Sequence, residues 1–136
     1  MKRKVFLQKK EKRAGAVLGS FFAERFFRSS LVQWSLVASL LVSAACWGLM
    51  GWFIRPVDFP IILHYNVHFG VDMIGAWWQA YLLPLAGLLI LGVNTATARL
   101  FFAREEKLSA MLLLLGGFAV QVAVLIAAIG IVRINY

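Results

Sequence analysis

Residues 31–54, LVQWSLVASLLVSAACWGLMGWFI, form an apolar run that contains no acidic or basic residue. A helix needs about 20 such residues to cross a bilayer, and residues 80–98 and 108–132 form two further runs of this kind. Only a helix satisfies all of its own backbone hydrogen bonds in lipid. The three runs therefore predict an all-α membrane protein with three transmembrane helices.

The composition and the distribution of charge support this class. Hydrophobic residues make up 62% of the 136 residues and charged residues only 15%, which is more apolar surface than a soluble domain of this length can bury. The net charge is +8, and nine of the fourteen Lys and Arg residues lie before position 29. This clustering favours anionic lipid headgroups over nucleic acid as the partner of the basic residues. The one cysteine, Cys46, is expected to pack as a small residue.

The chain divides into a basic N-terminal segment, residues 1–30, and a three-helix transmembrane domain, residues 31–136. The first long apolar run is too long for a cleavable signal, so we expect it to be an uncleaved anchor. Before it, AVLGSFFAERFFRSS mixes phenylalanines with charged residues. This mixture predicts an interfacial amphipathic helix that places Arg25 and Arg28 at lipid phosphates.

The distribution of Lys and Arg predicts the orientation in the membrane. Twelve basic residues lie in the N-terminal segment and between the second and third spans, against only Arg55 and Arg133 on the other side. We therefore expect the N-terminus to be cytoplasmic, and residues 55–79 and the C-terminus to be extracytoplasmic. Trp52, Trp77 and Trp78 are expected at the outer lipid interface.

Small residues within the spans predict where the helices pack, because they let backbones approach closely in lipid. Two such rows occur. The row on the first span contains Ser35, Ser39, Ser43 and Gly51, with Gly48 beside it, and the row on the third span contains Ala119, Ala123 and Ala127, with Gly116 a turn before. We expect the rows to face each other within one chain; pairing between chains is the alternative. Gln121, near the middle of the third span, is expected to form a hydrogen bond between helices.

The outer loop holds both histidines of the chain in PIILHYNVHFGVD, residues 60–72. Residues 61–69 alternate, with His64, Asn66 and His68 between apolar positions such as Tyr65, and this is the period of a half-buried strand. Pro60 and Gly70 are plausible boundaries. We therefore predict one short extended segment at the membrane surface, whose polar residues organise the loop or bind a partner.

A helical conformation of this loop is the competing interpretation. It would place His64, His68 and Asp72 on one face at a spacing that can chelate zinc. The β-rich composition favours the strand, in which the two histidines lie too far apart to share an ion. We therefore predict no metal site and no cofactor, and expect Asp72 to cap the helix that leads into the second span.

The loop residues also carry a resemblance to a known bacterial family. A first span followed by Pro60, then His64-Tyr65-Asn66, then Gly70 and Asp72, resembles the domain of unknown function in the SdpI-type bacteriocin-immunity membrane proteins. The similarity covers residues 31–91; the family has more than three spans, and His68 is not part of its pattern. The resemblance implies a small protein of the bacterial inner membrane with an extracytoplasmic recognition loop, and it implies no enzymatic activity.

Three functions are compatible with the sequence. The first is a non-enzymatic membrane protein whose outer loop binds a partner protein, either immunity-like or as an accessory subunit of a complex. The second is a structural homo-oligomer held by the small-residue rows. The third is a metal-dependent membrane enzyme that uses His64, His68, Asp58 and Asp72, although no known catalytic motif supports it. We expect the first.

Overall fold

The computed structural model describes residues 25–136. The elements in this part are, in chain order, α1 (Ser30–Phe53), β1 (Ile61–Asn66), β2 (Gly70–Gly75), a 3-10 helix (Trp77–Tyr81), α2 (Leu82–Ala103) and α3 (Lys107–Asn135). Three helices are long and apolar enough to cross a membrane, if the 3-10 helix is counted with α2. The prediction of three helices of membrane-spanning length is confirmed, and the all-α class is corrected to a mostly helical fold with a two-stranded sheet.

α2 and α3 continue beyond the C-terminal limits of their predicted spans, whereas α1 agrees with its predicted span to within one residue. α2 ends at Ala103, so the connection to α3 is only residues 104–106. Glu105 has a φ of 64° and turns the chain in the left-handed region. The charged residues near these ends do not stop the helices, because long cationic side chains extend to the headgroups while the backbone stays helical.

The contacts within the chain divide it into two units, Met1–Trp34 and Ser35–Tyr136. The predicted interfacial helix in the first unit lies mostly outside the described residues, and residues 25–28 at its end form a turn. After this turn, the side-chain amide of Gln33 donates to the carbonyl of Phe27 at 3.0 Å. This bond ties the first turns of α1 to the residues that precede the helix.

In the second unit, α2 and α3 pack closely through glycines. A Cβ atom at Gly87 would lie 3.2 Å from a methyl group of Val124, and one at Gly117 would lie 3.3 Å from Leu91. The buried side chain of Gln121 donates to the carbonyl of Gly87 at 2.7 Å. The expected hydrogen bond of Gln121 between helices is therefore confirmed, and it needs the close approach that glycine allows.

Of the two predicted rows, the one on the first span is buried in part and the one on the third span is exposed. Ser39 and Ser43 are buried, and the Ser39 hydroxyl donates to Ser35 within its own helix at 2.8 Å. Five of the small residues that were predicted to pack are instead exposed: Gly48, Gly116, Ala119, Ala123 and Ala127. The predicted packing of the rows within one chain is thus wrong.

The periodicity of the helix explains this error. A row of every fourth residue drifts around a helix by about 40° per step, because a turn takes about 3.6 residues. The buried positions of α3 alternate between steps of three and four and so stay on one face: Ala110, Leu114, Gly117, Gln121, Ala128 and Val132. Spacing of three and four, and not residue size alone, identifies the packed face.

A hydrophobic core lies where the helices meet the hairpin. It contains residues from α1, β1, the 3-10 helix and α3: Cys46, Met50, Ile54, Ile61, Ala80, Ala128 and Val132. Cys46 is a free thiol with 1% exposure, as its expected packing role requires. Through this core, the first strand of the hairpin shares a common interior with α1 and α3.

Candidate functional site

The outer loop is an antiparallel hairpin and not a single extended segment. β1 ends at Asn66, residues 67–69 form a turn, and β2 runs back so that Asn66 pairs with Gly70 and Ile61 with Gly75. A lone strand would leave its backbone groups unpaired, and β2 supplies their partners. The second strand, GVDMIG, was missed because two glycines and an aspartate have low strand propensity.

The turn of the hairpin is organised by Asn66 and Gly70. The side-chain oxygen of Asn66 accepts a hydrogen bond from the backbone N–H of His68 at 2.9 Å, which is the geometry of an Asx turn. Gly70 has a φ of 80°, a conformation that favours glycine. Asn66 thus bonds the backbone of its own turn and not that of the helix ends, while His68 is exposed at the tip.

His64 and Asp72 form a pair across the two strands. The Nδ1 atom of His64 lies 2.6 Å from a carboxylate oxygen of Asp72, and the side chains are 62% and 42% exposed. Exposed ion pairs contribute only about 0–1 kcal/mol to stability. The main consequence of this pair is therefore that it places two polar side chains together on the surface of the hairpin. The predicted helix cap at Asp72 is wrong, because Asp72 lies in β2 and the following 3-10 helix begins after Ala76.

Asn135, the last residue of α3, attaches the hairpin to the helices. Its side-chain oxygen accepts from the N–H of Ile62 at 2.9 Å, and its Nδ2 donates to the carbonyl of Ile62 at 2.7 Å and to that of Ile131 at 2.8 Å. An amide offers a donor and an acceptor with the spacing of a backbone peptide group. Asn135 therefore pairs with the edge of β1 as one residue of a neighbouring strand would.

Tyr81 and Gln79 complete this attachment. The Tyr81 hydroxyl lies 2.9 Å from the carbonyl oxygen of Ile54 and 3.2 Å from that of Met50, and donates to these carbonyls at the end of α1. The side-chain oxygen of Gln79 accepts from the N–H of Ala76 at 2.9 Å. A Cβ atom at Gly75 would collide with Gln79. Helix ends leave carbonyls unpaired, and Tyr81 satisfies those of α1.

The sequence analysis missed Asn135 and Tyr81. Asn135 follows a long apolar run, and Tyr81 was predicted only to lie at the outer lipid interface with Trp77 and Trp78. A polar side chain at the very end of a span is the available signal, because unpaired backbone groups collect there. Which backbone group each would bond depends on tertiary structure and could not be read from spacing.

Of the three predicted ligands of the zinc alternative, only His64 and Asp72 come together. His64 bonds Asp72, and His68 lies in the turn. Among residues 25–136, no group of three or more His, Cys, Asp or Glu side chains could hold a metal ion. A histidine–carboxylate pair with the remaining imidazole nitrogen free can still accept or donate a hydrogen bond to a bound partner.

The hairpin also exposes an apolar surface. The exposed large apolar side chains of the two strands and the turn are Tyr65, Val67, Phe69, Val71, Met73 and Ile74. Val67 and Phe69, at 84% and 85%, are the most exposed large apolar residues in the described part of the chain. Such a surface is typical of an interaction site or of contact with lipid.

The hairpin thus combines three features: a rigid attachment by Asn135, a polar His64–Asp72 pair and an exposed apolar tip. The fold places them at one end of the three long helices, beside the C-terminus of α1 and that of α3. No protein family, curated protein or solved structure matches the chain.

Proposed function

We propose that this chain is a small, non-enzymatic protein of the bacterial inner membrane whose extracytoplasmic hairpin binds a partner protein. The partner is either the target of an immunity-like activity or another subunit of a membrane complex. The single observation that carries the proposal is the hairpin, which is held on the helix ends by Asn135 yet exposes Val67 and Phe69 at its tip.

The way the hairpin is held supports recognition over a connecting role. A two-stranded hairpin is marginally stable alone, and here both backbone groups of Ile62 are bonded by Asn135. Pre-ordering of a binding surface lowers the entropy that is lost on association. A loop that only joined two spans would not need such a fixed conformation.

The surface chemistry defines the partner that would fit. Phe69 at 85% exposure offers an aromatic side chain for an apolar pocket, and buried aromatics commonly dominate binding energy. The His64–Asp72 pair and His68 lie on the same hairpin and can bond polar groups around such a pocket. We therefore expect a protein partner with an apolar cleft and a polar rim.

The orientation comes from the charge bias of twelve basic residues to two, which favours an extracytoplasmic hairpin. The bacterial inner membrane and the immunity-like role come from the resemblance of Pro60, His64-Tyr65-Asn66, Gly70 and Asp72 to the SdpI-type proteins. The basic segment 1–30 would bind anionic headgroups on the opposite, cytoplasmic side.

Site-specific photo-cross-linking in native membranes tests the proposal. A photoreactive phenylalanine replaces Phe69 at the tip, and in a matched control it replaces Leu89, which is 63% exposed on α2. We expect a discrete protein adduct from position 69 that is absent at position 89. Phe69→Ala should then reduce the amount of that protein that co-purifies with the chain.

Two results would contradict the proposal. Adducts of position 69 with lipid alone would mean that the tip lies in the bilayer interface. An adduct with the mass of two chains would favour a second candidate, a structural homo-oligomer.

The homo-oligomer is favoured by one specific observation, the exposure of Ala119, Ala123 and Ala127 on α3. A row of alanines lets a second helix approach closely in lipid, and no contact within the described residues buries this row. Ala123→Leu should then lower the oligomer mass in mild detergent, whereas Leu89→Ile on α2 should not. An unchanged monomer mass in all samples removes this candidate.

A further inference from the structure

A groove of about 540 Å³ lies between the hairpin and the ends of α2 and α3 nearest to it. α3 contributes Ala127, Gly130 and Ile134, α2 contributes Leu83, and the hairpin covers the groove with Leu63 and Met73. This volume is within the range of about 300–1,000 Å³ that is typical of sites for small molecules. The lining is almost entirely apolar.

The groove is open because α3 carries its smallest residues there. A Cβ atom added at Gly130 would meet no atom within 4 Å, and Ala127 is exposed. Empty apolar space forfeits the dispersion contacts of its lining, and water does not fill it favourably without polar partners. An apolar ligand is therefore the occupant that this shape favours.

The depth of the groove in the membrane indicates which ligand that is. α3 has 29 residues and is about 43 Å long, which exceeds the hydrocarbon thickness of about 30 Å. Gly130 lies about 7 Å from the end of α3, so the groove lies where the hydrocarbon meets the headgroups. Two residues of the lining, Leu82 and Ile134, are 51% and 40% exposed.

We propose that the groove binds one acyl chain of a phospholipid from the leaflet on the hairpin side. The lining includes Leu82 and Ile134, which are exposed side chains of the long helices, and through them a lipid chain enters from the bilayer without crossing water. The lining residues that carry polar groups are His64 and Tyr65 of β1 and Gln79 of the 3-10 helix, and these elements lie toward the headgroups. The site does not depend on the partner protein proposed above.

Lipid retention measured by native mass spectrometry tests this site. The full chain is reconstituted in vesicles of phosphatidylethanolamine and phosphatidylglycerol, extracted in mild detergent and then washed progressively. We expect the unmodified chain to retain one phospholipid. Gly130→Leu places a side chain into the groove, and we expect the lipid-bound fraction to fall about tenfold, one decade in the binding constant.

The control is Gly92→Leu on α2, because Gly92 also has no atom within 4 Å of an added Cβ atom and does not line the groove. Both changes favour the helix, since leucine has a better helix propensity than glycine. Retention that falls in Gly130→Leu and not in Gly92→Leu supports the site. If Gly130→Leu does not fold, Ala127→Leu replaces it, with the same expected loss.

Two outcomes overturn the inference. Equal lipid retention in all variants would show that the bound lipid lies elsewhere on the helices. A lipid-free dimer of the unmodified chain that becomes a monomer in Gly130→Leu would show that a second copy of this chain, and not a lipid, occupies the groove.

Discussion

The side-chain amide of Asn135 bonds both the N–H and the carbonyl of Ile62, at 2.9 and 2.7 Å. This pairing joins the last residue of α3 to the first strand of the hairpin, 73 positions away in sequence. The Asn135 amide thereby takes the place that the backbone of a neighbouring strand would occupy beside β1. One side chain at the end of the last span thus adds two hydrogen bonds to the core contacts that position the hairpin.

Removing this amide should loosen the hairpin. In Asn135→Leu both groups of Ile62 lose their partner, and each unsatisfied buried group costs about 1–3 kcal/mol, less where water replaces the amide. We expect faster hydrogen exchange in β1 and a lower melting temperature in detergent. Thr97→Val, which removes a bond from Thr97 to Val93 within one helix, should change exchange in β1 little. Equal exchange in both variants would show that Asn135 does not hold the strand.

Tyr81→Phe should destabilise the end of α1. The change removes only the hydroxyl that donates to Ile54 and Met50, and a hydrogen bond of this kind contributes about 0.5–1.5 kcal/mol. Tyr65→Phe is the matched control, because Tyr65 is 48% exposed and forms no side-chain hydrogen bond within residues 25–136. A melting temperature that falls equally in both variants would contradict the capping role of Tyr81.

Gly87→Leu should separate α2 from α3. A Cβ atom at Gly87 would lie 3.2 Å from Val124 and 3.4 Å from the side-chain oxygen of Gln121, so the helices must move apart. Overpacking of this kind costs about 1–3 kcal/mol. Thermal unfolding in detergent measures the loss, and Gly92→Leu should be neutral because its added Cβ atom has open space. A neutral Gly87→Leu would mean that the helix pair is not tightly packed there.

The three polar residues of the hairpin should differ in their effects. Asn66→Ala removes the acceptor of the His68 N–H and should cost about 1 kcal/mol, whereas His68→Ala should leave the melting curve unchanged. His64→Ala loses an exposed pair with Asp72, so its cost should stay below about 1 kcal/mol. A melting curve that shifts with zinc or a chelator, with His68 as the sensitive position, would instead favour the metal-binding alternative.

Topology is tested by reporters fused at two positions. If the charge bias governs insertion, a fusion at Lys107 is cytoplasmic and one after Tyr136 is extracytoplasmic. The three helices require opposite sides for these two positions, since α3 lies between them. A reporter that is active on the same side at both sites would be incompatible with three spans.

The number of helices and their approximate limits were predictable from the sequence. An apolar run of sufficient length must be helical in lipid whatever it packs against, and the structure confirms three such helices. The alternation from Ile61 likewise predicted a strand, which the structure shows as Ile61–Asn66. Gln121 was identified because a lone polar group in a span needs a partner.

Local patterns alone thus determined which segments of this protein are helical and where its polar loop lies, because backbone hydrogen bonding in lipid leaves few alternatives. Tertiary structure decided that GVDMIG pairs with the first strand, that Asp72 faces His64, and that Ala119, Ala123 and Ala127 stay exposed. It also decided that Asn135 holds the hairpin at Ile62. Each of these depends on which distant backbone or side chain comes close, and spacing within one segment does not contain that information.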